Sequence, residues 1–169
     1  MALWLAVAAR PMLAQSAAPQ DDPTAVRAAV ERANAPEVWG EALRRGDPAP
    51  LAEVWTGDAL AYFAGEVRAY AARGLRLLST PVHFEILDVT IGEDGHARVA
   101  TREEWHDVLC TADGRVEGRR QAVVRDVYAL VWRDGRWWVE GVDIGLEAGS
   151  FAWEPPPAAD DTACSAGWE

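Results

Sequence analysis

The sequence predicts an α+β fold in which N-terminal helices pack on a curved, four-stranded antiparallel meander. Three observations point there. Apolar residues recur every three to four positions through the first half of the chain, and after Pro81 the period changes to two. The second half is then divided by "GEDG" (92–95), "ADGR" (112–115) and "RDGR" (133–136), each a hairpin signal.

In the first helix, Asp22 is the cap, Pro23 suits the first turn, and Val26, Ala29, Val30 and Ala33 form one stripe. Pro36 breaks or kinks it. A second helical piece carries Val38, Trp39, Ala42 and Leu43 and stops at Gly46. A short turn around Leu51, Val54 and Trp55 leads into a helix from about Asp58, with Leu60, Phe63, Ala64, Val67 and Ala71 inward and Gly74 as its stop. Strands are expected near 82–91, 97–110, 119–133 and 136–144.

With 169 residues, half of them apolar, the chain suits one domain with loose ends. The expected division is a leader over 1–20, a single α+β domain over 21–148, and a disordered, proline-rich acidic tail over 149–169. The leader's short apolar run and following small residues read as an export signal, with a cytoplasmic location as the alternative. No stretch is long and apolar enough to span a bilayer. Acids outnumber bases by 27 to 16 and the bases are scattered, which argues against nucleic acid as a partner. Every base is an arginine, so Schiff-base chemistry and a phosphate-loop lysine have no residue to carry them. Cys110 and Cys164 either pair in an oxidising compartment or stand as a buried thiol and a tail thiol.

Two-residue turns at Asp113-Gly114 and Asp134-Gly135 set a register. Trp132 then lies opposite Trp137, Leu130 opposite Val139, Tyr128 opposite Gly141 and Asp126 opposite Asp143. Across the earlier hairpin Val99 meets Tyr128, Thr101 meets Asp126, Glu103 meets Val124 and Trp105 meets Ala122. One face therefore gathers Glu103, Asp126 and Asp143 among aromatic and aliphatic side chains. These acids either line a pocket or sit at its rim, paired with Arg102, Arg119, Arg120 or Arg125. Glu103 and His106 have a metal-ligand spacing for a helix, but a strand sends them to opposite faces, so no metal site is expected there. His83 and His96 are isolated. The opposite face carries Val127, Ala129, Val131, Trp138 and Val142, an apolar row that suggests a protein partner or a homodimer.

The stretch "LAEVWTGDAL", the Glu103-x-Trp105 strand and the closing "YALVWRDGRWWVEGVDI" hairpin resemble the nuclear transport factor two-like, cystatin-like cone superfamily. Within it they are most similar to the intermembrane-space domain of chloroplast-division proteins and its bacterial relatives. The positions that match are Trp55, Thr56, Gly57 and Leu60, then Glu103 and Trp105, then Tyr128, Leu130, Asp134, Gly135, Trp137 and Val139. The resemblance implies a cone-shaped domain and covers roughly residues 24–145.

Two functions follow as expectations. The first is a noncatalytic binding or assembly domain, without a cofactor. It would take a small apolar ligand in a pocket walled by Trp55, Tyr62, Phe63, Thr101 and Trp105 together with Glu103, Asp126, Tyr128 and Asp143, or a protein partner on the outer face. The second is an acid–base enzyme of the ketosteroid-isomerase or polyketide-cyclase type, with Asp126 or Glu103 as base and Tyr128 as donor. The resemblance implies a tyrosine on the first helix for such isomerases, and residues 23–45 contain none.

Overall fold

The computed structural model describes residues 22–156 and 163–164. The expected leader lies outside these residues. Asp22 accepts the backbone N–H of Thr24 at 2.8 Å and so starts helix α1 (Pro23–Ala33), whose Val26, Val30 and Ala33 are buried. Pro36 opens a single π-helical turn, Pro36–Gly40, which runs into the short α2 (Glu41–Arg45). Gly46, at φ 66°, ends α2 in the left-handed region that favours glycine. A 3₁₀ turn, Ala49–Glu53, buries Leu51, and α3 (Gly57–Ala72) turns Ala59, Phe63, Ala64 and Val67 inward.

Four strands follow: β1 (Leu75–Ile91), β2 (His96–Thr111), β3 (Val116–Arg133) and β4 (Arg136–Gly149), paired in chain order and all antiparallel. The fold is thus the α+β arrangement expected, with helices covering one face of a curved, open sheet. β1 starts at Leu75 rather than near 82, and Pro81 lies within it. An edge strand tolerates a proline, since the missing N–H faces no neighbour. Trp55 ties the helical layer to the sheet: Thr56 N–H donates to the Val139 carbonyl at 2.8 Å, and Val139 N–H to that of Val54 at 3.0 Å.

The turn at Asp134-Gly135 has φ of 53° and 80°, the left-handed pair a two-residue hairpin needs. Trp132 faces Trp137 and Leu130 faces Val139, as expected. The register then slips between Ala129 and Leu130, where Glu140 is the extra residue of a bulge. Beyond it Tyr128 faces Val142 and Asp126 faces Ile144. Because strand side chains alternate faces, this slip turns Asp143 outward and Val142 inward. Both expectations for these residues are therefore corrected: Asp143 is exposed, 4.0 Å from Arg98, and Val142 packs on the core instead of joining the outer row.

The β2–β3 hairpin reaches its expected register by a different route. Its connection is longer than two residues, with Thr111 N–H bonded to the Arg115 carbonyl at 2.9 Å, and a bulge follows between Leu109 and Cys110. The longer connection and the bulge shift the pairing in opposite senses, so Val99, Thr101, Glu103 and Trp105 face the partners deduced for them.

Residues past β4 turn back onto β3. Arg119 and Glu154 exchange backbone hydrogen bonds, and Trp153 packs against the core. Cys110, at the end of β2, is disulfide-bonded to Cys164. The stretch expected as a loose tail is held here at two points.

Candidate functional site: an apolar cavity with an acidic floor

Between the helices and the inner face of the sheet lies a partly open cavity of about 410 Å³. Its size is that of a pocket for a small organic molecule. Trp39, Trp55 and Phe63 form one wall, with Phe63 edge-on to both tryptophans at centroid distances of 5.0 and 4.8 Å. Leu77, Ala122, Val124 and Val142 line the sheet side, and Tyr62, Ile144 and Phe151 stand at the exposed rim.

The floor is polar. Glu103 is 1% exposed, and three neutral donors satisfy it. Its Oε1 accepts from the Thr101 hydroxyl at 2.7 Å and the Tyr128 hydroxyl at 2.9 Å, while Oε2 accepts from the Trp105 indole N–H at 2.7 Å. Asn34, just after α1, donates from Nδ2 to the Tyr128 oxygen at 2.9 Å and to the Val30 carbonyl at 3.1 Å. A buried carboxylate is tolerated when its lone pairs are met, and this network meets them. Burial, together with the Glu103 and Asp126 charges, holds the Tyr128 phenol well above its ordinary range.

Asp126 is different. It is 5% exposed and has no partner for Oδ1, while the backbone N–H of Gly145 bonds to the carboxylate. Burial first, and the neighbouring Glu103 second, push its pKa up to about 7. Along the same face Asp107 accepts from Arg120 Nε at 2.7 Å with one oxygen and leaves the other unpartnered. The Arg120 guanidinium lies 4.5 Å from the centre of the Trp153 ring. Burial raises the pKa of Glu66 on α3, and Arg120 opposes that shift.

Of the residues expected at a pocket, Trp55, Tyr62, Phe63, Glu103, Trp105, Asp126 and Tyr128 line the cavity, and Thr101 stands behind Glu103. Asp143 does not belong to it. Arginine does not neutralise Glu103: Arg102 and Arg125 both bind Glu147 instead, at 3.1 and 2.7 Å. Sequence reasoning missed Asn34, Glu66 and Asp107, and named Arg120 only as one of four arginines that could pair with the acids. Asp107 and Arg120 carried a usable signal, because the alternation that places Glu103 and Ala122 inward continues to them. His106 lies on the face opposite Glu103, 3.1 Å from Glu104. Among the described residues no group of three or more His, Cys, Asp and Glu could hold a metal ion.

No protein-family model matches the chain, and no curated protein matches it. Among solved structures it is similar to the intermembrane space region of the chloroplast protein ARC6, with a TM-score of 0.65 and 18% identity. The match covers 75% of this chain and 98% of that one. The likeness is one of fold. It indicates a distant structural relationship. No helix among the described residues is long and apolar enough to cross a membrane.

Proposed function

We propose that this chain is a noncatalytic binding domain, of the nuclear transport factor two-like cone type, that holds a small and mainly apolar molecule between its helices and its sheet. The observation that carries this reading is the partly open cavity of about 410 Å³, walled by tryptophan, phenylalanine and valine and floored by a hydrogen-bonded network. Such a cavity releases water to an apolar ligand while its few polar groups orient it. The Glu103 network supports binding over turnover, since its carboxylate already accepts three hydrogen bonds. An extracytoplasmic location goes with the reading, supported by the Cys110–Cys164 disulfide.

Titration with the neutral fluorophore N-phenyl-1-naphthylamine tests it. Saturable one-to-one binding that is lost when Val124→Phe fills the cavity is the expected result. No binding, or equal binding by a folded Val124→Phe variant, refutes the proposal.

A second reading, acid–base catalysis with Asp126 as base, is favoured by one observation: a buried carboxylate beside the cavity with one oxygen unpartnered and a pKa of about 7. Under it Asp126→Asn abolishes turnover of an enolisable substrate while the fold survives. Binding of a protein or a second copy through the outer face has weaker support. Val142 has left that row, and the Arg136 guanidinium covers Trp138, 3.6 Å from its ring centre.

A further inference from the structure

Resting on the small-ligand reading above, we infer that the cavity selects an organic cation: an apolar, preferably aromatic body carrying a protonated amine that pairs with the Asp126 carboxylate. Three independent features of the wall lead there.

The first is hydrogen-bonding capacity. The buried polar atoms of the wall that lack a partner are Asp126 Oδ1 and Asp107 Oδ1, and both are acceptors. The donors nearby, the Tyr128 hydroxyl, the Trp105 indole N–H and the Asn34 amide, are engaged within the protein. A ligand with only acceptors would leave the free carboxylate oxygens buried and unmet, which is costly. An ammonium group supplies up to three donors.

The second is charge. Glu66, Glu103, Asp107 and Asp126 line the cavity against Arg120 alone, and Arg120 is already bonded to Asp107. A site of that balance repels carboxylates and phosphates and attracts a cation, the more strongly because its walls are apolar. The third is the aromatic lining of Trp39, Trp55 and Trp105, whose ring faces favour a cation over a neutral group of the same size.

Proton linkage gives a second handle. Asp126 faces Glu103 on β2, Tyr128 on β3 and the Gly145 N–H on β4, and the helical layer contributes Asn34 and Glu66 to the same cavity. Asp107 and Arg120 lie further along β2 and β3. Since Asp126 ionises near pH 7, an amine should bind more tightly at pH 8 than at pH 6, and a neutral ligand should not.

Tryptamine and tryptophol share an indole-ethyl body and differ by an ammonium against a hydroxyl. Their displacement of N-phenyl-1-naphthylamine from the full chain, at pH 6 and pH 8, is the test. At pH 8 tryptamine is expected to displace the probe at a concentration about tenfold or more below that of tryptophol, as a charge-assisted hydrogen bond implies. Asp126→Asn should abolish that preference, so that the two compounds displace the probe at similar concentrations. The rise from pH 6 to pH 8 in the unmodified chain checks the same point without a variant. Equal or tighter tryptophol binding, or a preference that survives in folded Asp126→Asn, overturns the inference while probe binding leaves the small-ligand reading standing. Failure of the probe itself to bind removes both.

Discussion

Tyr128 links the Glu103 carboxylate of the floor to the helical layer, since its hydroxyl donates to Glu103 and accepts from Asn34. Replacing it with phenylalanine leaves both partners short of a hydrogen bond in a buried site. The expected cost is about 1–3 kcal/mol, read as a lower urea midpoint with an unchanged slope. Asp126 makes the opposite prediction. Its folded pKa of about 7 lies above the ordinary carboxylate value, so the folded state holds the proton more tightly than the unfolded chain. Its contribution to stability is therefore fully present below about pH 4 and is lost as the pH rises to about 7. Asp126→Asn should flatten that slope and raise stability at pH 8 by about 1 kcal/mol or more, measured by urea unfolding across pH. Glu103, Trp105, Asp126 and Tyr128 were legible as one face because a period of two assigns them to it. Asn34 was not, because nothing local to the end of a helix indicates which distant side chain it meets.

At the scale of elements, the helix starts and stops and the hairpin turns were readable from capping residues and glycines. On β4 the reading failed at a bulge. The extra residue Glu140 reverses the facing of β4 beyond it, moving Asp143 out and Val142 in. Gly141, a glycine inside a strand, was the available signal, since glycine there often marks a bulge. β1 began earlier than expected because Leu75, Leu77 and Leu78 precede Pro81 in an apolar run too short to reveal its period. Past β4, Glu154 is fixed by its backbone pair with Arg119 and Cys164 by its bond to Cys110, whose separation of 54 residues makes the crosslink a strong constraint on the unfolded chain. Replacing both cysteines with serine should lower stability by about 2–4 kcal/mol and speed proteolysis in residues 150–156. Unchanged unfolding and cleavage would mean that the tail is held by Trp153 and Glu154 alone.

For the whole molecule, the sequence showed which side chains of β2 and β3 share the inner face but not whether space remains between them. That depends on how far Trp39, Trp55 and Phe63 stand from the sheet, a distance set by tertiary packing and the twist of the strands. The inner and outer faces of one sheet compete as binding surfaces, and variants separate them. Val131→Glu on the outer face should leave probe affinity unchanged, whereas Val124→Phe on the inner face should lower it by about tenfold or more, both read by fluorescence titration. The most direct test is NMR mapping of backbone amide shifts as N-phenyl-1-naphthylamine is added. The largest shifts are expected at Trp105, Ala122, Val124, Asp126, Tyr128 and Val142. Shifts confined to Val127, Ala129, Val131 and Trp138, or none at saturating probe, would contradict the cavity reading.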